Sequence, residues 1–447
     1  MNLSSRSPPP LNAESWSCRK RMNHHPMATS ILTSSLPRPT AITFAVAGLQ
    51  PIYIMQLLAK KLGQYRIQPR FMACSWIMGD YFGKLVLLVL ALSEVTRAWY
   101  VAPQVPCFFI FGDSLVDNGN NNNILTLARA NYRPYGIDFV EGSSGRFTNG
   151  RTLVDVLAQL LGFRGFIPPY AVAERAGIFR GLNYASGAAG IRDETGNNLG
   201  DHYPLAQQIN HFRDTVRVMT RMFRGNSTRA GDYLGKCIYY MGMGSNDYLN
   251  NYFMPTMYPT SREYSPRTYA ALLLEDYSRQ LTELYDLGAR KVAIIGIGQI
   301  GCIPYELARY SNRNTRKGSS SGCNEDINTA ISIFNTGLVR MVKRFNAQLP
   351  DAKFVYVNTY ESSKELVANA ASYGFDVIDK GCCGVGRNNG QITCLPLQTP
   401  CADRTSYLFW DAFHPTEVAN VIYAKKAYNS SSASDVYPMN LRQLAMA

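Results

Sequence analysis

Five short apolar runs alternate with helix-like patterns over residues 103–447, and this alternation limits the possible folds more than any other feature of the chain. The runs are Cys107–Phe111, Leu182–Ala185, Ile238–Met243, Lys291–Ile297 and Phe354–Val357. Three-to-four-residue apolar spacing occupies Thr152–Leu161, Leu205–Phe223, Tyr269–Leu287, Ile327–Leu349, Lys364–Ala371 and Thr416–Ala427. A run of four to seven residues without polar alternation suits a sheet buried on both faces, and the intervening helices supply the cover. The expected class is therefore α/β with a parallel sheet. No linker long enough to split residues 103–447 is present. The polar stretches Asn118–Asn123 and Ser311–Gly322 read as surface insertions.

In an open α/β sheet, ligands bind beyond the carboxyl ends of the strands. The first run ends in Gly112-Asp113-Ser114, the second in Ser186-Gly187-Ala188-Ala189-Gly190, and the third in Gly244-Ser245-Asn246-Asp247. Near the C-terminus, Trp410-Asp411-Ala412-Phe413-His414-Pro415 precedes the last helical pattern. After residue 100 the only imidazoles are His202, His211 and His414. The first two flank the start of the Arg-striped Leu205–Phe223 pattern, where a surface role is expected. His414 is left as the general base. Asp411, three residues earlier, can face the same side and orient it. A serine hydroxyl becomes a nucleophile only when such a base takes its proton. Ser114, Gly187 and Asn246 offer donors for a developing oxyanion: two backbone N–H groups and a side-chain amide.

Here the chain resembles a known family. Phe109-Ile-Phe-Gly-Asp-Ser-Leu-Val-Asp-Asn-Gly-Asn120 is similar to the first block of the GDSL-type esterase/lipases of the SGNH hydrolase superfamily. Gly187, Asn246 and Asp411-x-x-His414 match further blocks in the family's order. Gly145-Arg-Phe-Thr-Asn-Gly150, Gly381-Cys-Cys-Gly384 and Tyr407–Glu417 resemble its secreted plant branch. The resemblance covers roughly residues 103–447. It implies a flavodoxin-like three-layer α/β/α fold with a five-stranded parallel sheet. It also implies ester hydrolysis with Ser114 as nucleophile, His414 as base, Asp411 as orienter, and Ser114, Gly187 and Asn246 as the oxyanion hole. The expected substrate is an ester or lipid, with no cofactor and no metal. Two alternatives are an acyltransferase acting on extracellular polyesters and a non-catalytic binding protein on the same scaffold.

Rival readings are weaker. Gly296-Ile-Gly298-Gln-Ile-Gly301 fits a dinucleotide-binding pattern, but Pro304 follows it and Arg313, Arg316 and Lys317 stand where an acid is needed. Gly318-Ser-Ser-Ser-Gly322 fits the nucleophile-elbow pattern, yet no strand precedes it. Asp113 and Asp117 suit local turn bonding better than a glycosidase pair. With 46% apolar and 17% charged residues, wholesale disorder is excluded. A mean hydropathy of -0.15 excludes a multispanning membrane protein. The net charge is +13, but residues 1–77 hold nine Lys/Arg against Glu14 alone. The rest is only mildly basic, so no nucleic-acid partner is expected.

The N-terminal hundred residues read as address. Lys84–Ser93 has the length and positive flank of a secretory h-region and is too short to span a bilayer. The expected division is 1–77 as an unstructured or spurious extension, 78–102 as a signal segment and 103–447 as the hydrolase domain. A transit peptide or a membrane anchor are the other readings of 1–77. The mature chain is expected to be secreted, extracellular and without a stable membrane span. Eight cysteines follow residue 100. Cys302 with Cys323, and Cys394 with Cys382 or Cys383, bracket polar loops and are expected to pair, as the resemblance also implies. Cys107 and Cys237 abut apolar runs and are expected as free buried thiols. Asn226-Ser-Thr and Asn429-Ser-Ser are glycosylation acceptors.

Overall fold

The structure, a computed structural model, describes residues 102–174, 177–310 and 322–447. Residues 1–77, the Lys84–Ser93 core and the Ser311–Ser321 stretch lie outside them. The described residues belong to one unit, Tyr100–Ala447.

Strand β1 (Phe108–Gly112) is followed by α1 (Leu153–Leu160), α2 (Leu205–Met222) and α3 (Ser227–Leu234). Then come β2 (Ile238–Gly242), α4 (Pro266–Asp286), β3 (Lys291–Ile295), α5 (Pro304–Tyr310) and α6 (Glu325–Gln348). The chain continues through β4 (Lys353–Val357), α7 (Thr359–Ala368), β5 (Val377–Gly381) and β6 (Tyr407–Phe409). It ends with α8 (Glu417–Asn429), β7 (Val436–Tyr437) and α9 (Leu441–Met446). The main sheet has the order β1-β2-β3-β4-β7, with β5 and β6 forming a separate pair.

Alternation along each strand builds the layers. Phe109, Phe111, Tyr239, Met241, Ile294 and Tyr356 face α2, α4 and α6 on one side of the sheet. Phe108, Ile110, Tyr240, Ile295 and Val357 face α1, α8 and α9 on the other. The result is the expected three-layer α/β/α arrangement. Helix starts follow local chemistry. Thr152 closes a capping box with Asp155 on α1, Ser265 caps α4 just before Pro266, and Asn324 and Thr416 cap α6 and α8.

Two sheet details differ from expectation. Leu182–Ala185 lies along the free edge of β1, with Ile110 N–H donating to Leu182 and Tyr184 N–H to Ile110, at 3.0 and 2.8 Å. It forms only isolated bridges, at Asn183 with Ile110 and with Pro169. Its outer neighbour is Pro168-Pro169, which has no N–H to continue a ladder. Counted with this segment, the parallel order is the flavodoxin-like 2-1-3-4-5, and the site falls beside the switch point at β1. The fifth strand of the main sheet is β7, antiparallel to β4. At two residues it is too short to show a period.

The cysteine expectations need one correction. Cys302–Cys323 and Cys383–Cys394 are bonded, as is Cys382–Cys401. Cys107 and Cys237 are not free thiols; they form a disulfide with their Cα atoms 4.8 Å apart. Each directly precedes its strand, and the register that pairs Phe108 with Ile238 sets them side by side. A second correction concerns Asn118–Asn123. Asn118, Asn120 and Asn121 are buried, not on a surface insertion. Asn120 Nδ2 donates to the Asn183 and Ala185 carbonyls, and Asn121 Nδ2 to those of Ala128 and Gly187. These amides satisfy loop carbonyls that no ladder reaches.

Glu306 on α5 is fully buried, and among the described residues neither carboxylate oxygen has a hydrogen-bond partner. The Arg309 guanidinium stands 3.7 Å away. Burial pushes this carboxyl from 4.5 up to about 7, against a smaller pull from Arg309. Between those pH values the folded chain holds a proton that the unfolded chain has lost, so this group costs stability as pH rises through the window. Glu306→Gln should therefore flatten the decline. Relative to the parent, its Tm should be higher at pH 8 and similar at pH 4.5. Thermal melts of both proteins across that range check this, and a variant less stable at pH 8 would contradict it.

Candidate active site

The loops after β1 and β2 meet the Trp410–Pro415 loop at one edge of the sheet. Ser114 lies two residues beyond β1. Asp113 Oδ1 accepts from Leu115 N–H at 3.0 Å, and the Asp113 carbonyl accepts from Val116 and Asp117, which makes a tight turn. Ser114 stands at its apex, half-buried and open to the pocket. The Trp410–Pro415 loop is pinned by β6, by the Trp410 N–H bond to the His414 carbonyl (2.7 Å), and by Cys383 N–H donating to Trp410 (2.7 Å).

His414 joins the two. Its Nε2 is 2.8 Å from Ser114 Oγ, and its Nδ1 is 2.8 and 2.9 Å from the two Asp411 oxygens. An ionised carboxylate only accepts, so Nδ1 carries the proton and Nε2 turns its lone pair to the serine hydroxyl. Asp411 is fully buried. Burial alone would raise its carboxyl. The His414 imidazole and the bonds from His414, the Tyr135 hydroxyl and Phe413 N–H outweigh it and hold the group below its ordinary 3.8. Tyr135 Oη donates to Asp411 Oδ2 at 2.5 Å, and Thr393 Oγ1 to the same oxygen at 2.9 Å.

Tyr135 and Thr393 escaped the sequence reading. Tyr135 lies 276 residues from Asp411, and Thr393 sits in the loop closed by Cys383–Cys394. A signal was present in retrospect: a threonine beside a loop-closing cysteine. The Gly145–Gly150 block also gains a role. Phe147 packs on the His414 ring with centroids 5.1 Å apart. Thr148 Oγ1 donates to the Pro415 carbonyl at 3.0 Å, and Asn149 Oδ1 accepts from Glu417 N–H at 2.9 Å. Arg146 holds the block with a bidentate bond to buried Asp155 at 2.7 and 2.8 Å.

Asn246 sits in the short helical turn Ser245–Asp247 after β2, with Gly244 at φ 120° making the bend. It does not cap its own turn. Its Nδ2 donates to the Ala189 carbonyl at 2.9 Å, and its Oδ1 accepts from Asn250 at 2.7 Å. One amide hydrogen remains for a ligand. Gly187 behaves otherwise: its N–H donates to Asp117 Oδ2 at 2.9 Å. His202 and His211 stay outside the site. The former meets the Gly200 carbonyl and the latter stacks on Tyr170.

These groups line a mostly apolar pocket of about 300 Å³, with Ser114, His414, Asn246, Leu127, Phe147 and Met254 in its wall. A second pocket of about 130 Å³ shares Leu115, Ile303 and Phe413 with it. Gly296, from the dinucleotide-like motif, packs against the Tyr356 hydroxyl.

A hydroxyl aligned with an imidazole, itself tied to a buried carboxylate on a flavodoxin-like sheet, defines a serine hydrolase of the ester-cleaving class. The chain belongs to the GDSL-like lipase/acylhydrolase family, whose model matches residues 108–427. It is similar to GDSL esterase/lipase At1g33811 of Arabidopsis thaliana, 62% identical over 343 residues, which is 76% of this chain and 91% of the relative. GDSL esterase/lipase At1g29670 and GDSL esterase/lipase At5g45670 of the same plant are 54% and 55% identical over 361 residues each. Those matches cover 81% of this chain and 96% and 98% of the relatives.

Hydrogen bonds to a charged group contribute about 1.5–3 kcal/mol each. Tyr135→Phe and Thr393→Val should each lower kcat by roughly 10-fold or more on that scale, with KM little changed and the fold intact. Steady-state kinetics with circular dichroism would check this, and unchanged kcat in both variants would show that Asp411 is held without them.

Proposed function

We propose that the protein is a secreted carboxylic ester hydrolase working through an acyl-enzyme on Ser114. His414 Nε2 takes the hydroxyl proton as Ser114 Oγ attacks the ester carbonyl carbon. The carbonyl oxygen becomes an oxyanion held by the Ser114 N–H, the Asn246 amide and a donor from the Gly187 turn. When the intermediate collapses, the C–O bond to the alcohol breaks and His414 returns the proton to the leaving oxygen. Water then enters, gives a proton to His414, and releases the acid by the same steps reversed. Asp411 keeps the imidazole in the required tautomer and stabilises the imidazolium. The observation that carries the reading is the unbroken Ser114–His414–Asp411 contact. The apolar pocket supports an apolar acyl or alcohol group, as in lipids and related esters.

Export is part of the reading. Residues 78–102 would be the signal segment, with 1–77 absent from the mature chain. Four disulfides support an oxidising compartment. Asn226 and Asn429 are exposed and would carry glycans. The Asn226 Oδ1 that caps α3 leaves its Nδ2 available for one. Among the described residues no helix is long and apolar enough to cross a membrane.

An organophosphonate ester should label Ser114, as read by peptide mass spectrometry, and Ser114→Ala should abolish labelling. Asp411→Asn should keep the fold and lose about 10⁴ in kcat, the scale known for a triad aspartate. Labelling at another serine, with an active Ser114→Ala protein, would overturn the assignment.

A further inference from the structure

The turn beyond the Leu182–Ala185 segment offers two backbone N–H groups, those of Gly187 and Ala188. Ala189 N–H donates to the Ser186 carbonyl at 3.1 Å, placing Gly187 and Ala188 at the two central positions of the turn. Ala188 has φ 71°, the left-handed value that the third position of a type II turn requires. In such a turn the central peptide is flipped, so its carbonyl and its N–H point to opposite faces. The Gly187 carbonyl accepts from Asn121 Nδ2 at 3.0 Å, inside the buried asparagine cluster. The Ala188 N–H therefore points the other way. Ala188 is 3% exposed and lines the pocket beside Ser114, Asn246 and His414. Among the described residues its N–H donates to no acceptor. Left-handed non-glycine residues persist where their surroundings over-determine them, often at active sites.

Gly187 differs on each point. Its N–H is held by Asp117 Oδ2, and it does not line the pocket. A glycine is required there for space. A Cβ would fall 2.8 Å from Asn121 Nδ2 and 2.9 Å from the Phe147 ring.

We propose that the backbone donor completing the oxyanion hole is the Ala188 N–H, not that of Gly187, and that Asp117 is the positioning residue that aims it. The proposal rests on Ser114 being the nucleophile. Asp117 Oδ1 accepts from Gly119 and Asn120 N–H at 2.8 and 2.9 Å, while Oδ2 takes Gly187. One buried carboxylate thus ties the loop that carries Ser114 to the turn that carries Ala188. This fixes the distance between the two N–H groups before substrate arrives.

The test removes one N–H at a time. Installing the α-hydroxy analogue of alanine at position 188 turns the Gly187–Ala188 peptide into an ester, deleting the donor but keeping the side chain. The expected result is a kcat lower by about 10²–10³ with KM and Tm nearly unchanged. The glycolate analogue at position 187 should instead lower Tm, because it cuts the Asp117 tie, with a smaller loss of kcat. Asp117→Asn should lower kcat at constant KM. Near-normal kcat in the Ala188 analogue, or the larger loss in the Gly187 analogue, would overturn the proposal. Phosphonate labelling of the parent protein separates the two levels. Absent labelling at Ser114 refutes the nucleophile itself, whereas labelling with a fully active Ala188 analogue refutes only the donor assignment.

Discussion

A carboxylate with no solvent contact costs several kcal/mol unless fixed donors replace its water shell. Asp411 is in that position, and much of the surrounding structure serves to satisfy it. Its oxygens receive the Tyr135 and Thr393 hydroxyls, the Phe413 and His414 N–H groups, and the His414 ring. The two hydroxyls come from separately anchored pieces of chain. Tyr135 packs against Trp410 and Phe147, and Thr393 is tethered by Cys383–Cys394. The reward for burying the charge is a His414 ring that has one orientation and one tautomer. With the ring fixed, Ser114 at the end of β1 needs only the sheet register to fall 2.8 Å from Nε2.

The same device recurs around the pocket. Asp113, Asp117 and Asp247 are buried at the carboxyl ends of β1 and β2, and each binds backbone N–H groups. Asp247 takes Ile191, Arg192 and the Thr195 hydroxyl, which fastens the Gly190–Thr195 loop to the end of β2. Burial raises these carboxyls to about 6, 6 and 7, with the backbone bonds pulling back. Loops that belong to no ladder are thereby set rigidly around a pocket whose walls are otherwise apolar. Such a site excludes water from the ester while keeping its few polar groups aimed.

Much of this was legible in the sequence. Apolar runs without alternation located β1, β2, β3 and β4, because strands buried on both faces have no polar positions. That Ser114, Asn246, Asp411 and His414 gather beyond one end of the sheet was legible, because ligands bind past strand carboxyl ends and the imidazoles were scarce. What stayed hidden depends on tertiary contact. Cys107 and Cys237 pair across 130 residues because two strands happen to be neighbours. Leu182–Ala185 has strand composition but lies beside prolines. The asparagines at 118–123 look like a solvated insertion, yet they serve buried carbonyls. Gly187 draws attention as a glycine, and crowding by Asn121 and Phe147 gives the spatial reason for one at that position.

The central claim is that one preset frame holds the nucleophile, the base and the oxyanion donors before substrate binds. A crystal structure of the phosphonate adduct tests it most directly, because the phosphoryl oxygen stands where the oxyanion forms. The expected structure has phosphorus bonded to Ser114 Oγ and His414 still on Asp411. Its phosphoryl oxygen lies within about 3 Å of the N–H of Ser114, the N–H of Ala188 and Asn246 Nδ2. An adduct whose oxygen faces other donors, or one in which His414 has swung away from Asp411, would contradict it.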